Sequence, residues 1–160
     1  MKISISFLDN LNRRWFNIAM EWTKDGYLVT DDVHHFDVDS IHNFLTNSYW
    51  AKGRSKEAVI TTIQNSFSIG LFYNGEQIGF ARVITDYITF AYLCDVYVLE
   101  GHRKKGIGHF LMDCLLQHSK FSSVKWLLKT TYAQSLYKDF GFKEFESSFG
   151  WMTRTPVKGI

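Results

Sequence analysis

The sequence predicts a mixed α/β domain of the α+β type, built on one largely antiparallel sheet. Three observations predict it. Asn74-Gly75 sits between two runs rich in strand formers; the stretch from Tyr87 to Leu99 is almost unbroken β-branched, aromatic and aliphatic sequence; and the residues after it switch at once to helical spacing. Asn-Gly favours a two-residue hairpin because both positions tolerate positive φ, so Phe67 to Tyr73 and Gln77 to Thr85 should pair antiparallel. The near-continuous apolar run marks a central strand covered on both faces.

The remaining elements follow in chain order. Residues 1–25 form an N-terminal extension in which Ile3, Ile5 and Phe7 alternate like a strand and Trp15, Phe16, Ile18, Ala19 and Met20 follow like a helix. Tyr27 to Thr30 is a strand. Ile41, Phe44 and Leu45 have helical spacing behind a capping Asp39 or Ser40, and Ser55 caps a second helix carrying Ala58, Val59, Ile60 and Ile63. After the central strand, Ile107, Phe110, Leu111, Cys114 and Leu115 fall at i, i+3, i+4, i+7 and i+8, the apolar stripe of an amphipathic helix. Val124 to Leu128 is a further strand. Ala133, Leu136, Tyr137 and Phe140 mark a short helix ended by Gly141, and Phe142 to Thr153 supplies one or two closing strands.

Composition bounds the function. A chain of 160 residues, 46% hydrophobic, buries one substantial core but not two, and a single proline with no repeat offers no linker, so 1–160 reads as one domain. A net charge of +2, with no cationic block longer than Arg103-Lys104-Lys105, argues against a nucleic-acid partner. No apolar run reaches the roughly 18 residues of a membrane span, and the N-terminus lacks the apolar segment of a secretory signal; a cytoplasmic protein is expected. Cys94 and Cys114 read as small buried hydrophobes, and the six histidines show no ligand spacing, so no metal is expected.

Chemistry concentrates in the turn between the central strand and its helix. His102-Arg-Lys-Lys-Gly-Ile-Gly108 places two glycines and three cations at a helix N-terminus. Free amides, the helix dipole and glycines that let a phosphate approach the main chain together make an anion site. Gly101-x-x-x-x-Gly106 is followed by Ile107 and not by Lys-Ser/Thr, and Gly106-x-Gly108 lacks a third glycine at 111, so neither a P-loop nor a dinucleotide fingerprint is present. The same loop would also serve as a plain solvated turn.

The run Asp95-Val-Tyr-Val-Leu-Glu-Gly-His-Arg-Lys-Lys-Gly-Ile-Gly108, followed by Ala133-Gln-Ser-Leu-Tyr-Lys-Asp-Phe-Gly-Phe142, resembles the GNAT superfamily of acyl-CoA-dependent N-acetyltransferases. The resemblance spans residues 27–153 and implies a mixed, largely antiparallel sheet with helices on both faces. It implies acetyl-CoA as co-substrate, the pantetheine along Val96, Tyr97 and Val98 where the strand splays from its neighbour, and the pyrophosphate on the amides of Arg103, Lys104, Lys105, Gly106, Ile107 and Gly108. It further implies that Tyr137 contacts the cofactor and protonates the departing thiolate. Thr130 stands where the family often has asparagine and can still donate a hydroxyl; Lys104 stands where glycine is frequent and Glu100 where proline is.

Asp95 is the only charged residue between Tyr87 and Leu99. A buried carboxylate needs a partner, water or a raised pKa, so it reads either as a catalytic base or as a structural acceptor. Some amine-specific relatives carry an acidic residue where this chain has Cys94. Tyr49, Trp50, Arg54, Tyr87 and Trp151 are the candidates for the acceptor site; exposed aromatics equally suit a homodimer interface. The expected acceptor is a primary amine on a small molecule. The alternatives are a protein or peptide acetyltransferase and a non-catalytic acyl-CoA sensor.

Overall fold

The computed structural model describes residues 19–144. They fall into two compact units divided at Lys129/Thr130. The first holds a six-stranded sheet in sequence order: β1 (Glu21–Lys24), β2 (Tyr27–Thr30), β3 (Phe67–Tyr73), β4 (Glu76–Thr85), β5 (Phe90–Val98) and β6 (Lys125–Leu128). The first five are antiparallel and β6 runs parallel to β5, the mixed sheet that was expected.

Turn chemistry sets the hairpins. Asn74 and Gly75 both take positive φ (50° and 82°), as their residue types favour. Asp25 and Gly26 repeat the device at φ 50° and 81° and create β1, a strand that the apolar pattern does not reveal because its burial is slight. The strand-then-helix reading of residues 1–20 lies, up to residue 18, outside the described residues; Ala19 and Met20 are not helical.

The central strand begins at Phe90 and not at Tyr87. Asp86 takes the amides of Ile88, Thr89 and Phe90 (3.0, 2.8 and 3.1 Å) and the Thr89 hydroxyl (2.5 Å), so those donors close a turn instead of joining a ladder. The strand is also not fully covered on both faces. Buried Ala91, Leu93, Asp95 and Tyr97 alternate with half-buried neighbours.

The register sorts side chains onto two faces. Phe80, Arg82, Cys94 and Tyr97 share one, since Phe80 pairs with Tyr97 and Arg82 with Cys94. Helices α1 (Val38–Asn47) and α2 (Lys56–Gln64) cover it, with Ile41, Leu45 and Val59 packed on Phe80 and Tyr97. The α1 cap is Asp37, whose carboxylate accepts from Ser40 N at 3.0 Å; Ser40 sits three residues in as the donor and is not the cap. Ser55 caps α2 as expected, accepting from Ala58 N at 3.1 Å.

The opposite face is apolar: Val29, Phe67, Ile69, Leu71, Ala81, Val83 and Leu93. Helix α3 (Ile107–Leu116) lies on that side, burying Ile107, Leu111, Met112, Cys114 and Leu115. Its Phe110 takes Lys24 Nζ over the ring at 5.9 Å, and His118, just past its end, meets Phe67 and Trp22 (centroids 4.9 and 5.7 Å). With α1 and α2 on one face and α3 on the other, the sheet is sandwiched as the class requires.

Asp31 fastens this arrangement. It accepts from Met20 N (2.6 Å), meets His118 Nε2 (3.2 Å) and lies 3.5 Å from Lys120 Nζ, joining the end of β2 to the segment after α3. Burial pushes its carboxyl up, but the His118 hydrogen bond, the Met20 amide and the Lys120 charge outweigh this and hold it below the usual range. A depressed folded pKa stabilises above the ordinary carboxylate value and is lost as pH falls through the lowered one. Asp31→Asn should therefore cost about 1–3 kcal/mol in urea unfolding at neutral pH, and less as the pH falls below about 4.

Candidate functional site

The site begins with an irregularity in β5. Between the pairs Phe80↔Tyr97 and Arg82↔Cys94, two steps on β4 face three on β5, so Asp95 and Val96 together oppose Ala81. Asp95 takes φ 53°, a left-handed conformation that bulges of this kind usually give to glycine. The extra residue places Cys94 and Tyr97 on the same face, and Asp95 sends its carboxylate to that face too, as its partners show.

Those partners come from two elements, the loop between α1 and α2 and strand β4. Arg54 Nη1, in the loop between α1 and α2, donates to Asp95 Oδ2 at 2.7 Å; Arg82 Nε, in β4, donates to the same oxygen at 2.8 Å; Trp50 Nε1 donates to Oδ1 at 3.3 Å. Asp95 is only 4% exposed. Burial pushes its carboxyl up, yet the Arg54 hydrogen bond and the charge and hydrogen bond of Arg82 prevail and leave it below the usual range, hence ionised. The carboxylate is thus occupied by donors. Trp50 stands against Phe44 (6.2 Å) and Tyr49 (5.0 Å), and Phe44 stacks on Tyr97 at 3.8 Å and 11°. The sequence brought Trp50 and Arg54 forward together and Asp95 apart from them, and the structure joins all three. Arg82 was missed, although a lone cation in an apolar strand is the complement of a lone carboxylate in the next.

At the bulge β5 also loses a neighbour. Its parallel pairing with β6 ends at Leu93↔Leu128, while β5 runs on to Val98. Among the described residues Val96 and Tyr97 therefore have no strand partner on the β6 side, and Val98 O accepts from Arg103 Nε at 2.8 Å.

The chain then turns through Glu100–His102 into α3. Lys104 and Gly106 both take positive φ (60° and 75°). Gly106 is the N-cap and offers no side chain, so the first amide bonded inside the helix is that of Phe110, to Gly106 O at 3.0 Å. The amides of Ile107 and Gly108 precede it, where helix amides meet no helical carbonyl. A Cβ added at Gly106 or Gly108 would meet nothing within 4 Å. Lys105 Nζ donates to Gly101 O at 2.9 Å, and His102 Nδ1 lies 3.2 Å from the Tyr27 hydroxyl, which together hold the turn.

The second unit contains Thr130 and Tyr137. Thr130 Oγ1 accepts from Ala133 N at 3.1 Å, leading into α4 (Gln134–Asp139). The helix closes with two reverse bonds, Gly141 N to Lys138 O (3.0 Å) and Phe142 N to Tyr137 O (3.1 Å), around Gly141 at φ 80°. This is the Schellman end, and the buried Tyr137 ring meets Phe142 at 5.9 Å, its customary apolar contact. The Tyr-x-x-x-Gly-Phe spacing is thus a helix-stop pattern as well as a family element.

Tyr87 does not join Trp50 and Arg54. It stacks on Phe121 (5.9 Å, 17°) and meets Phe67 edge-on, and Phe67 projects to the face opposite Arg82. Trp151 and the strands read from Phe142 to Thr153 lie, beyond Glu144, outside the described residues. Cys94 is only half-buried; burial raises its thiol to about 11 and that of Cys114 to about 12. Among the described residues, no three potential ligands cluster around a metal position, and no helix is long and apolar enough to cross a membrane.

Comparison with known proteins places this geometry. The model of the acetyltransferase (GNAT) family matches residues 19–142. A Gibberella zeae protein named as a candidate acetyltransferase is 30% identical over 152 residues, covering 81% of this chain and 86% of its own. A crystal structure of a GNAT-family candidate acetyltransferase from Xanthomonas campestris is 35% identical with a TM-score of 0.79, covering 84% of this chain and 96% of its own. A GNAT acetyltransferase from Elizabethkingia anophelis, solved with acetyl-CoA bound, shares the fold at 21% identity and a TM-score of 0.58, over 77% of this chain and 80% of its own. The bulged strand, the amide-lined turn and the stopped helix accordingly belong to an acyltransferase, and the chain belongs to the GNAT acetyltransferase family.

Proposed function

We propose that this chain moves an acetyl group from acetyl-CoA to the primary amine of a small molecule by direct attack. The observation that carries the reading is the pair formed by the stretch of β5 that has no β6-side strand partner among the described residues and the helix-start amides of α3. Backbone groups of Val96 and Tyr97 suit an extended amide-bearing arm, and the turn from Arg103 to Gly108 suits a pyrophosphate. Acetyl-CoA supplies a thioester whose carbonyl carbon takes a nucleophile and whose sulfur leaves.

The chain's own residues would bind, orient and return a proton. Lys104 takes φ 60°, the left-handed conformation that suits the glycine frequent there in the family. Tyr137, matching the family's tyrosine, protonates the leaving sulfur, and Thr130 can still donate its hydroxyl while accepting from Ala133. Asp95, occupied by three donors and ionised, is a positioning residue that fixes Arg54 and Trp50 beside the bulge. The proton of the attacking amine passes to solvent.

Isothermal titration with acetyl-CoA, followed by a thiol-release screen over amines, tests the reading. Binding with release on a small amine is expected; binding without release on any amine would favour a non-catalytic sensor. Gly108→Glu adds bulk and negative charge where φ is ordinary and space is open, and should weaken acetyl-CoA about 100-fold with melting temperature little changed. Tyr137→Phe should lower kcat by about 100-fold or more at neutral pH with acetyl-CoA affinity retained. Asp95→Asn should lower kcat/KM by one factor across the pH range; disappearance of an acid limb in that variant would make Asp95 a base after all.

A further inference from the structure

Resting on the small-amine reading, we infer that the acceptor carries a carboxylate as well as its amine, and that Arg54 is the residue that reads it. The charges at the bulge do not balance. Asp95 contributes one negative charge and Arg54 and Arg82 two positive ones, and no second carboxylate among the described residues pairs with either arginine. Two buried or half-buried guanidiniums around one carboxylate leave a surplus of one positive charge, in a place where uncompensated charge is expensive.

The two arginines are not equivalent. Arg82 has an 8% exposed side chain and spends Nε on Asp95 and Nη1 on the Ser66 hydroxyl (3.4 Å); it belongs to the interior. Arg54 is 23% exposed and spends Nη1 alone on Asp95. Its Nε and Nη2, the side-on edge that grips a carboxylate through two parallel bonds, meet no acceptor among the described residues. The backbone behind it is also fixed, since His42 Nε2 lies 3.1 Å from Arg54 O.

Beside that edge stands an aromatic wall. Trp50 is 40% exposed, is tied to the same carboxylate as Arg54, and leans on Tyr49. A cationic fork and an aromatic ring held by one shared Asp95 fit an aminocarboxylate with an apolar side chain: the carboxylate on Arg54, the side chain along Trp50 and the amine left to react. In the step the amine nitrogen forms the new bond to the acetyl carbon as the carbon–sulfur bond breaks, the thiolate gains a proton and the nitrogen loses one.

The test uses matched acceptors that differ only in the carboxylate, phenylalanine against phenethylamine and leucine against isopentylamine, in thiol-release assays of the full chain. Product binding is measured in parallel by titration with N-acetylphenylalanine and N-acetylphenethylamine. The carboxylated member should be favoured about 100-fold in kcat/KM and in product affinity, Arg54→Gln should bring both ratios toward one, and Arg54→Lys should restore part of them. Release on the decarboxylated members alone, or ratios unmoved by Arg54→Gln, would overturn the inference and leave the small-amine reading standing. A loss of acetyl-CoA affinity in Arg54→Gln would assign the arginine to the cofactor and equally overturn it. Acetyl-CoA binding with no release on any member would overturn the small-amine reading, and the inference with it.

Discussion

The carboxylate of Asp95, buried at a bulge and gripped by Arg54 and Arg82, is the contact on which the arrangement of the site depends. It joins β5 to β4 and to the loop between α1 and α2. Burying three charges costs several kcal/mol in desolvation, and an ion pair recovers this only with good geometry and its remaining lone pairs satisfied. Here the pairing distances are 2.7 and 2.8 Å and Trp50 occupies the second oxygen. Hydrophobic residues of similar volume could fill the same space at no loss of stability. What they could not supply is a fixed direction for Arg54 and Trp50, so the cluster makes more sense as a jig for the site than as a source of stability.

The sheet and most helices were legible because their signals are local. Asn74-Gly75, the Ser55 cap and the stripe through Leu111 and Leu115 each act within one turn or one hairpin. Misplaced boundaries had local causes as well: Asp86 drew three amides out of the ladder, and Asp37 capped a helix that Asp39 or Ser40 seemed equally able to start. Asp25-Gly26 carried a hairpin signal that weakly buried β1 did not reinforce.

The site was legible by residue and not by arrangement. Asp95 stood out as an isolated charge, and Trp50 and Arg54 as polar and aromatic residues in a loop, but nothing in a linear sequence says that 41 and 45 positions of separation close to hydrogen-bonding distance. The bulge is invisible for a related reason. It depends on counting three steps against two across strands, and its left-handed residue is an aspartate instead of the glycine that would have announced it. That Tyr87 packs with Phe67 on the face away from Trp50 and Arg54 was not legible, because alternation across the hairpin is a property of the register.

The interrupted pairing of β5 and β6 has a consequence for solubility as well as for binding. A strand with one bare side is a template onto which any extended polypeptide can zip, the usual seed of edge-to-edge aggregation. Here the bare run is short, bounded by Leu93 at one end and by the Arg103 side chain on Val98 at the other, and it is bent in the middle by the bulge. A regular foreign strand would lose register within two residues, whereas a brief flexible chain with one or two amide groups would not. Among the described residues, the kinked gap is thus better shaped for a short arm than for a second strand.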